Sequence, residues 1–137
     1  MIETTVKYLG GVQFEAAARG HKVISDQPPD NQGQDAGMTP PELLLSALAT
    51  CVGFYAVQYL RARKLPADGL GVRVTADKAA SPARLYAFRV EITVPGLEDE
   101  RHRKGVLRAA KSCLIHNTLE RTPGIEIVLN ASTAAAG

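Results

Sequence analysis

Residues 43–60 form a stretch of eighteen residues without a charged side chain. Thr39 and Glu42 precede it at the spacing of a capping box, in which hydroxyl and carboxylate bond the free backbone N–H groups of a helix start. Pro40 stands in the first turn, where a helix tolerates proline. We therefore expect a helix over residues 40–64, ended by the proline and glycine that follow.

A membrane span is the first alternative for this stretch, because eighteen residues reach the lower limit of a spanning length. The stretch is only moderately apolar, however, and the rest of the chain shows the alternating patterns of half-buried strands, which need a helix to cover them. The side chains that lower its apolar character are Ser46, Thr50, Gly53, Tyr55, Gln58 and Tyr59. We expect a core helix and no membrane association.

A helix that is apolar on all sides needs cover on all sides. One sheet covers one face, and a domain of this size has only one other long helix. Ser46, Ala49, Gly53 and Ala56 share one stripe at 100° per residue, and their small side chains would let another helix approach closely. A partner subunit related by a two-fold axis is the simplest cover, and the alternative is that the second helix suffices.

The remaining elements follow from alternation and turn signals. Strands are expected over residues 6–8, 12–16, 21–25, 70–76, 86–94 and 125–129, and a second helix over residues 98–121. A polar loop over residues 26–38 separates the third strand from the first helix. The order βββαββαβ, with two helices against mainly antiparallel strands, predicts an α+β fold.

The bulk properties exclude several classes of protein. At 137 residues the chain is expected to be a single domain, 1–137, with a frayed tail over residues 131–137. A net charge of +2 gives no reason to expect a nucleic-acid partner. The first residues lack the pattern of a secretory signal, so we expect a cytoplasmic protein, in which two cysteines are not a permanent disulfide.

Cys51 and Cys113 each fall near the middle of an expected helix. Free cysteine is often a small core side chain, whereas a reactive thiol must be a thiolate. Both positions lie far from the expected helix N-termini, so the helix dipole would not help and activation would need a cation. Arg19 is the only arginine among the first sixty residues.

Cys113 also has His116 and Asn117 on its expected helix face, at i+3 and i+4. Cys51, Cys113 and His116 would give only three of the four ligands that a structural zinc needs, so we expect no metal and no other cofactor. A Cys113–His116 nucleophile for acyl transfer is a further alternative, but no turn lifts the thiol out of its expected helix.

Two motifs together resemble the OsmC/Ohr family, the osmotically inducible and organic hydroperoxide resistance proteins. The first runs from Gly37-x-Thr39-Pro40-x-Glu42 through Leu43-Leu44-Leu45-x-Ala47-Leu48-Ala49-x-Cys51, and the second is Cys113-x-x-x-Asn117-Thr118-Leu119. The strand order and the length match as well, so the resemblance covers nearly the whole chain. Leu114 stands where the family often has proline.

The resemblance implies an OsmC-like interlocked homodimer, with two central helices against antiparallel sheets and active sites at the interface. It implies a thiol-dependent peroxidase that reduces organic hydroperoxides, with Cys51 as the peroxidatic and Cys113 as the resolving thiol. A dithiol reductant, of the lipoyl type in some members, would restore both thiols. Glu42 matches the glutamate that pairs with an essential arginine, and Arg19 lies in the segment that supplies it.

Helix geometry constrains how Glu42 can serve such a site. Glu42 and Cys51 are nine residues apart on one helix, so about 13 Å separates them along its axis. We therefore expect that Glu42 reaches the site from the other subunit, or else that it only closes its capping box. The alternative function is a non-catalytic OsmC-like dimer that binds an apolar ligand or senses oxidants.

Overall fold

The structure is a computed structural model that describes residues 1–131. It confirms the mixed α+β architecture with antiparallel sheets, and it contains three α-helices in the described residues. In chain order the elements are β1 (Thr5–Gly10), β2 (Gln13–Ala18), β3 (His21–Ser25), α1 (Pro40–Ala62), β4 (Gly71–Ala80), β5 (Ala83–Thr93), α2 (Glu100–Ala110) and α3 (Leu114–Glu120). The expected frayed tail lies outside the described residues except for Ala131.

The first three strands form an antiparallel sheet in the order β1-β2-β3, which we call the N-terminal arm. Tyr8 pairs with Phe14 across the first hairpin, and their rings lie 5.6 Å apart. Among the described elements, the arm makes no substantial packing with the helices or with β4 and β5. Within one chain, the arm is therefore a separate sheet that projects from the rest.

The helix α1 is the element on which α2, α3 and the β4–β5 hairpin pack. Its start is as predicted: the Glu42 N–H donates to the Thr39 hydroxyl, and the Thr39 N–H donates to the Glu42 carboxylate at 2.9 Å. Leu48 and Val52 pack against the hairpin, and Leu60 packs with Val106 of α2. By length and composition alone α1 could cross a membrane (mean hydropathy 1.7), and 22% of that apolar window is buried. In this fold α1 is the central helix.

The small-residue stripe does not form the free face of α1. Ala56 is fully buried against Leu60 and Val106, and the nearest atom to a Cβ on Gly53 would be Val72 of β4. These two members of the stripe therefore face the chain's own α2 and hairpin. The uncovered face instead carries Thr50, Phe54 and Gln58, and Phe54 is 58% exposed.

The predicted second helix, 98–121, is two helices rather than one. α2 ends at Ala110, and α3 begins after Cys113, whose extended backbone (φ −59°, ψ 133°) makes it the N-cap. The Cys113 sulfur accepts a hydrogen bond from the His116 backbone N–H at 3.4 Å. No proline or glycine stands at residues 111–113, between α2 and α3, so turn signals could not reveal the break.

The predicted last strand, 125–129, is not formed within this chain. Residues 122–131 have no regular secondary structure, and the apolar side chains of this segment are exposed. Ile125 is 80% exposed, Ile127 90% and Leu129 91%. A segment with this alternation becomes a strand only when it pairs with the edge of a β-sheet. In the described part of the chain, no strand pairs with it.

The chain exposes far more surface than a compact monomer of its mass. A folded monomer of 14.6 kDa would expose about 6,900 Å², whereas this chain exposes 10676 Å². The buried hydrophobic residues are correspondingly few: Leu48, Val52, Ala56, Leu60, Val106, Ala110 and Cys113. The single chain thus leaves a large part of its apolar surface uncovered.

Gly105→Ala tests the packing of α2 on α1. Alanine normally stabilises a helix interior by about 1 kcal/mol relative to glycine. A Cβ atom at Gly105 would overlap the Tyr59 ring, whose hydroxyl lies 3.1 Å from His102 Nδ1. We expect the free energy of unfolding to fall by about 1–3 kcal/mol, measured by urea denaturation.

Gly53→Ala is the matched control for this test. A Cβ atom there would lie 3.6 Å from Val72, which is an ordinary contact. We expect the free energy of unfolding to stay the same or to rise slightly. A loss at Gly53 as large as that at Gly105 would contradict the packing described.

Candidate functional site

The two cysteines, 62 positions apart in the sequence, meet in one apolar cluster. Cys51 lies on α1 and is half-buried, and Cys113 caps α3 and is fully buried. Both thiols are free, and Cys51 packs against the cluster that contains Cys113. Leu48, Val52 and Ala110 surround the pair. The fold therefore brings together the two thiols that the sequence placed on separate helices.

Cys113 is held as a protonated thiol. Burial raises the pKa of the Cys113 thiol, and the neighbouring Cys51 thiol raises it further. The backbone N–H groups of His116 and Ile115 act against both effects without reversing them. The expectation that Cys113 lies far from a helix N-terminus was wrong, since it is the first residue before α3. Desolvation nevertheless outweighs the benefit of that position.

Cys51 lies on the side of α1 that borders the uncovered face. At 100° per residue it stands between Leu48, which is buried, and Phe54, which is exposed. The Cys51 thiol is therefore reachable from outside the apolar cluster, whereas the Cys113 thiol is not. Because of this difference in exposure, a molecule from solvent could reach the Cys51 sulfur but not the Cys113 sulfur.

An apolar groove of about 590 Å³ lies between α1, β5, α2 and α3, next to this cluster. Leu48 and Val52 line both the groove and the environment of Cys113. Its other apolar walls are Leu44, Leu85, Phe88, Val90, Ile92, Leu107, Ala110 and Leu119, and its polar lining is Lys111, His116 and Glu120. The volume and lining suit a small, mainly apolar ligand.

Glu42 closes the capping box of α1, which is one of the two roles expected for it from the sequence. The Thr39 N–H and the Thr39 hydroxyl both donate to Glu42 Oε1, at 2.9 and 2.8 Å. These bonds lower the pKa of the Glu42 carboxyl, and the nearby Lys78 lowers it further. Within the described residues, Oε2 accepts no hydrogen bond, so half of an ionised carboxylate remains open.

Arg19 lies in the turn between β2 and β3, at the tip of the N-terminal arm. Its side chain is exposed and its φ is 52°, which is uncommon for a residue other than glycine. In the described part of the chain it makes no ion pair with Glu42. In the described residues, a single chain thus brings the cysteines together but forms no ion pair between Arg19 and Glu42.

The His116 ring does not pair with the Cys113 sulfur. Its Nε2 lies 3.6 Å from Glu120, and its Nδ1 is buried without a hydrogen-bond partner in the described residues. The contact with Cys113 comes from the His116 backbone N–H instead. This geometry gives no support to a Cys113–His116 nucleophile. Nor do three His, Cys, Asp or Glu side chains cluster as a metal site anywhere in residues 1–131.

Asp26 is a residue that the sequence reasoning missed. Its side chain is 1% exposed, yet it is a carboxylate. Its hydrogen-bond donors are Gln27 N (2.7 Å), Ala36 N (3.0 Å), Gln34 N (3.1 Å) and Gln13 Nε2 (3.1 Å). Burial alone would raise the pKa of Asp26, but these four bonds lower it below its usual value. The sequence did carry a signal for this residue, because Asp26 is an acidic residue between a predicted strand and a polar loop that contains two glycines.

Comparison with known proteins shows the family. The family described as OsmC-like protein matches residues 33–128, which is more than half of the chain. No curated protein sequence matches. Among solved structures, a Psychrobacter arcticus protein whose name refers to osmotic stress and a detoxification response is 27% identical, with a TM-score of 0.79 over 86% of this chain and 88% of that one.

Two further solved structures show the same fold at lower identity. An OsmC like protein of Mycoplasma pneumoniae is 21% identical, with a TM-score of 0.77 over 89% of both chains. An organic hydroperoxide resistance protein of Elizabethkingia anophelis is 16% identical, with a TM-score of 0.68 over 89% of both chains. With the family match and this shared fold, the chain belongs to the OsmC-like family.

Proposed function

We propose that this chain is a thiol peroxidase that reduces organic hydroperoxides, with Cys51 as the attacking thiol and Cys113 as the resolving thiol. The observation that carries the proposal is the meeting of two free cysteines of unequal exposure beside an apolar groove. Cys51 is accessible to a substrate, whereas Cys113 is sealed from solvent but close to Cys51. The family includes peroxide-resistance proteins, which agrees with this assignment.

The proposed reaction has two steps on the protein. The Cys51 thiolate attacks the terminal oxygen of the hydroperoxide, the O–O bond breaks, and the alkoxide takes up a proton and leaves as an alcohol. The sulfur is thereby oxidised to a sulfenic acid. The Cys113 thiol then attacks that sulfur, a disulfide forms, and water leaves. A dithiol reductant, of the lipoyl type or similar, restores both thiols by exchange and is itself oxidised to a disulfide.

The residues that activate one chain's Cys51 would come from the second chain. Arg19 would stabilise the Cys51 thiolate and the developing alkoxide, and Glu42 would orient the guanidinium. The exposed position of Arg19 at the tip of the N-terminal arm and the open Oε2 of Glu42 support this role. Because Glu42 and Cys51 lie about 13 Å apart along α1, the glutamate would serve the site of the second chain.

A homodimer is part of the same proposal. The chain exposes roughly 3,800 Å² more than a monomer of its mass should, which is ample for its side of an obligate dimer interface, since such interfaces bury about 2,000–5,000 Å² in total over both chains. The uncovered face of α1, the unpacked arm and the apolar segment 125–129 are the surfaces that a second copy would cover. A reducing, cytoplasmic environment would keep both thiols free between turnovers.

The second candidate function is an OsmC-like dimer that binds an apolar ligand or senses oxidants without turnover. The groove of about 590 Å³ favours it, because its lining is predominantly apolar whatever the thiols do. A sensor would still form the disulfide, whereas a ligand-binding protein would not. Sustained turnover with a dithiol distinguishes the enzyme from both.

Oxidation of the thiols tests the peroxidase. We expect reduced wild-type protein to lose two hydrogen atoms within seconds of adding one equivalent of cumene hydroperoxide, because the disulfide forms directly between neighbouring thiols. The measurement is intact mass after rapid acid quenching. Unchanged mass over minutes would leave only the ligand-binding dimer.

The two cysteine variants are the controls for this experiment. Cys51→Ser should show no change, because it lacks the attacking sulfur. Cys113→Ser should gain one oxygen atom, as a sulfenic acid that dimedone traps, because nothing resolves it. The reverse pattern would assign the attacking role to Cys113 and overturn the order of the two steps.

The apolar segment 125–129 tests the homodimer. We expect the wild type to sediment at twice the chain mass of 14.6 kDa. Ile125→Asp together with Ile127→Asp should weaken the dimer by roughly 100-fold or more, since a buried unpaired carboxylate costs several kcal/mol. The measurement is analytical ultracentrifugation over a dilution series. Glu126→Gln, in the same segment, is the control and should leave the dimer intact.

A further inference from the structure

The carboxylate of Asp26 is the one fully buried charge among the described residues, in a chain with few buried side chains. Its Oδ1 accepts the Gln27 N–H, and its Oδ2 accepts the Gln34 N–H, the Ala36 N–H and the Gln13 side-chain amide. A buried charge with this many donors is fully compensated. Each of these donors loses its partner if the carboxylate is removed, so the surrounding backbone depends on it.

The residues that Asp26 bonds belong to two different parts of the fold. Gln13 is on β2 of the N-terminal arm, whereas Gln34 and Ala36 belong to the loop that leads into α1. The Asp26 N–H also donates to the Met38 carbonyl at 3.4 Å, directly before the N-cap of α1. Asp26 thus sits at the joint between the arm and the central helix.

The loop at this joint is closely packed on its own backbone. A Cβ atom at Gly33 would overlap the Gln27 carbonyl, and one at Gly37 would overlap the Ile24 carbonyl. The Ser25 hydroxyl donates to the Met38 carbonyl at 2.9 Å, and Ser25 bridges Met38 as a parallel pair. The loop therefore holds one conformation, and the Asp26 carboxylate is at its centre.

Within its own chain, the arm is directed by this joint, because it has no other substantial packing there. Arg19 stands at the opposite end of β3, roughly 20 Å from Asp26 at the rise of an extended strand. A tilt of about 5° at the joint would then move the arm tip by about 2 Å. Displacements of this size at a reacting centre can cost on the order of 100-fold in rate.

We propose that Asp26 is a positioning residue: it fixes the angle between the N-terminal arm and α1, and so delivers Arg19 to the thiol site of the second copy. This inference rests on the proposed function, because it needs Cys51 to react and Arg19 to assist. It adds a residue that lies outside the apolar cluster of the two cysteines. Its effect reaches the thiol through the direction of a whole sheet.

Asp26→Asn tests the proposal with little change in shape. Only one end of an asparagine side chain accepts hydrogen bonds, so in either orientation its NH₂ group faces at least one N–H donor. We expect the rate constant for Cys51 oxidation by cumene hydroperoxide to fall by about tenfold or more. Stopped-flow mixing measures it, at concentrations where ultracentrifugation shows the same assembly as the wild type.

Asp35→Asn is the matched control. Asp35 lies in the same loop, its side chain is exposed, and its φ of 55° suits asparagine. It loses the same charge without losing a described hydrogen bond. We expect its oxidation rate to stay within about twofold of the wild type, and an equal loss in both variants would overturn the proposal in favour of a general charge effect.

A double-mutant cycle with Arg19→Ala separates positioning from loss of stability. If Asp26 acts through Arg19, then Asp26→Asn should add less than about twofold to the loss already caused by Arg19→Ala. Independent, multiplicative losses would overturn the proposal. If Arg19→Ala slows Cys51 oxidation but Asp26→Asn does not, this inference is overturned and the proposed function stands. If the wild type does not react with the hydroperoxide, the proposed function is overturned as well.

Gln13→Ala keeps the test decisive if Asp26→Asn does not fold. It removes the one bond that ties β2 to the carboxylate and leaves the three backbone bonds. We expect the rate constant for Cys51 oxidation to fall by a smaller factor than in Asp26→Asn. When Gln13→Ala is combined with Arg19→Ala, we expect less than about a twofold further fall. Hydrogen exchange should be faster in the loop after β3 and unchanged in α1, and a wild-type rate with a loosened loop would overturn the proposal.

Discussion

The structure depends on one helix that its own chain covers on one side only. The apolar side chains Leu48, Val52 and Leu60 anchor the hairpin and α2, while Thr50, Phe54 and Gln58 remain uncovered. Cys51 lies at the boundary of these two faces, half-buried. The boundary explains how one sulfur can contact a sealed partner thiol and still be reached from outside. The uncovered face of α1, which points to a second copy, is therefore also the reason that the two thiols differ in exposure.

Features set by local chemistry could be predicted from the sequence. The start of α1 is determined by Thr39, Pro40 and Glu42, which lie within four residues of one another, and both capping bonds form. The hairpins follow from alternation and from glycines that supply positive φ, such as Gly11 and Gly20. Because each of these signals is complete within a few residues, neither tertiary packing nor a partner was needed to interpret them.

Features set at longer range could not be predicted in this way. The break at Cys113 replaces a helical turn with a sulfur acceptor, and sulfur is too weak an acceptor to mark an N-cap reliably. The segment 125–129 has the alternation of a strand, but its pairing edge is not in the described chain. The family motifs identified the two cysteines, yet the raised pKa of the Cys113 thiol depends on burial, which only the fold reveals.

Glu42 shows why a capping role and a catalytic role need not exclude each other. The N–H and the hydroxyl of Thr39 both bond Oε1, which fixes the carboxylate in one orientation and lowers the pKa of Glu42. A lowered pKa keeps the group ionised at neutral pH, and its stabilising contribution is lost only as the pH falls through that value. The second oxygen is then a fixed, charged acceptor at the start of α1. A guanidinium placed beside this oxygen would meet a preorganised partner, so the capping box itself would prepare the site for Arg19.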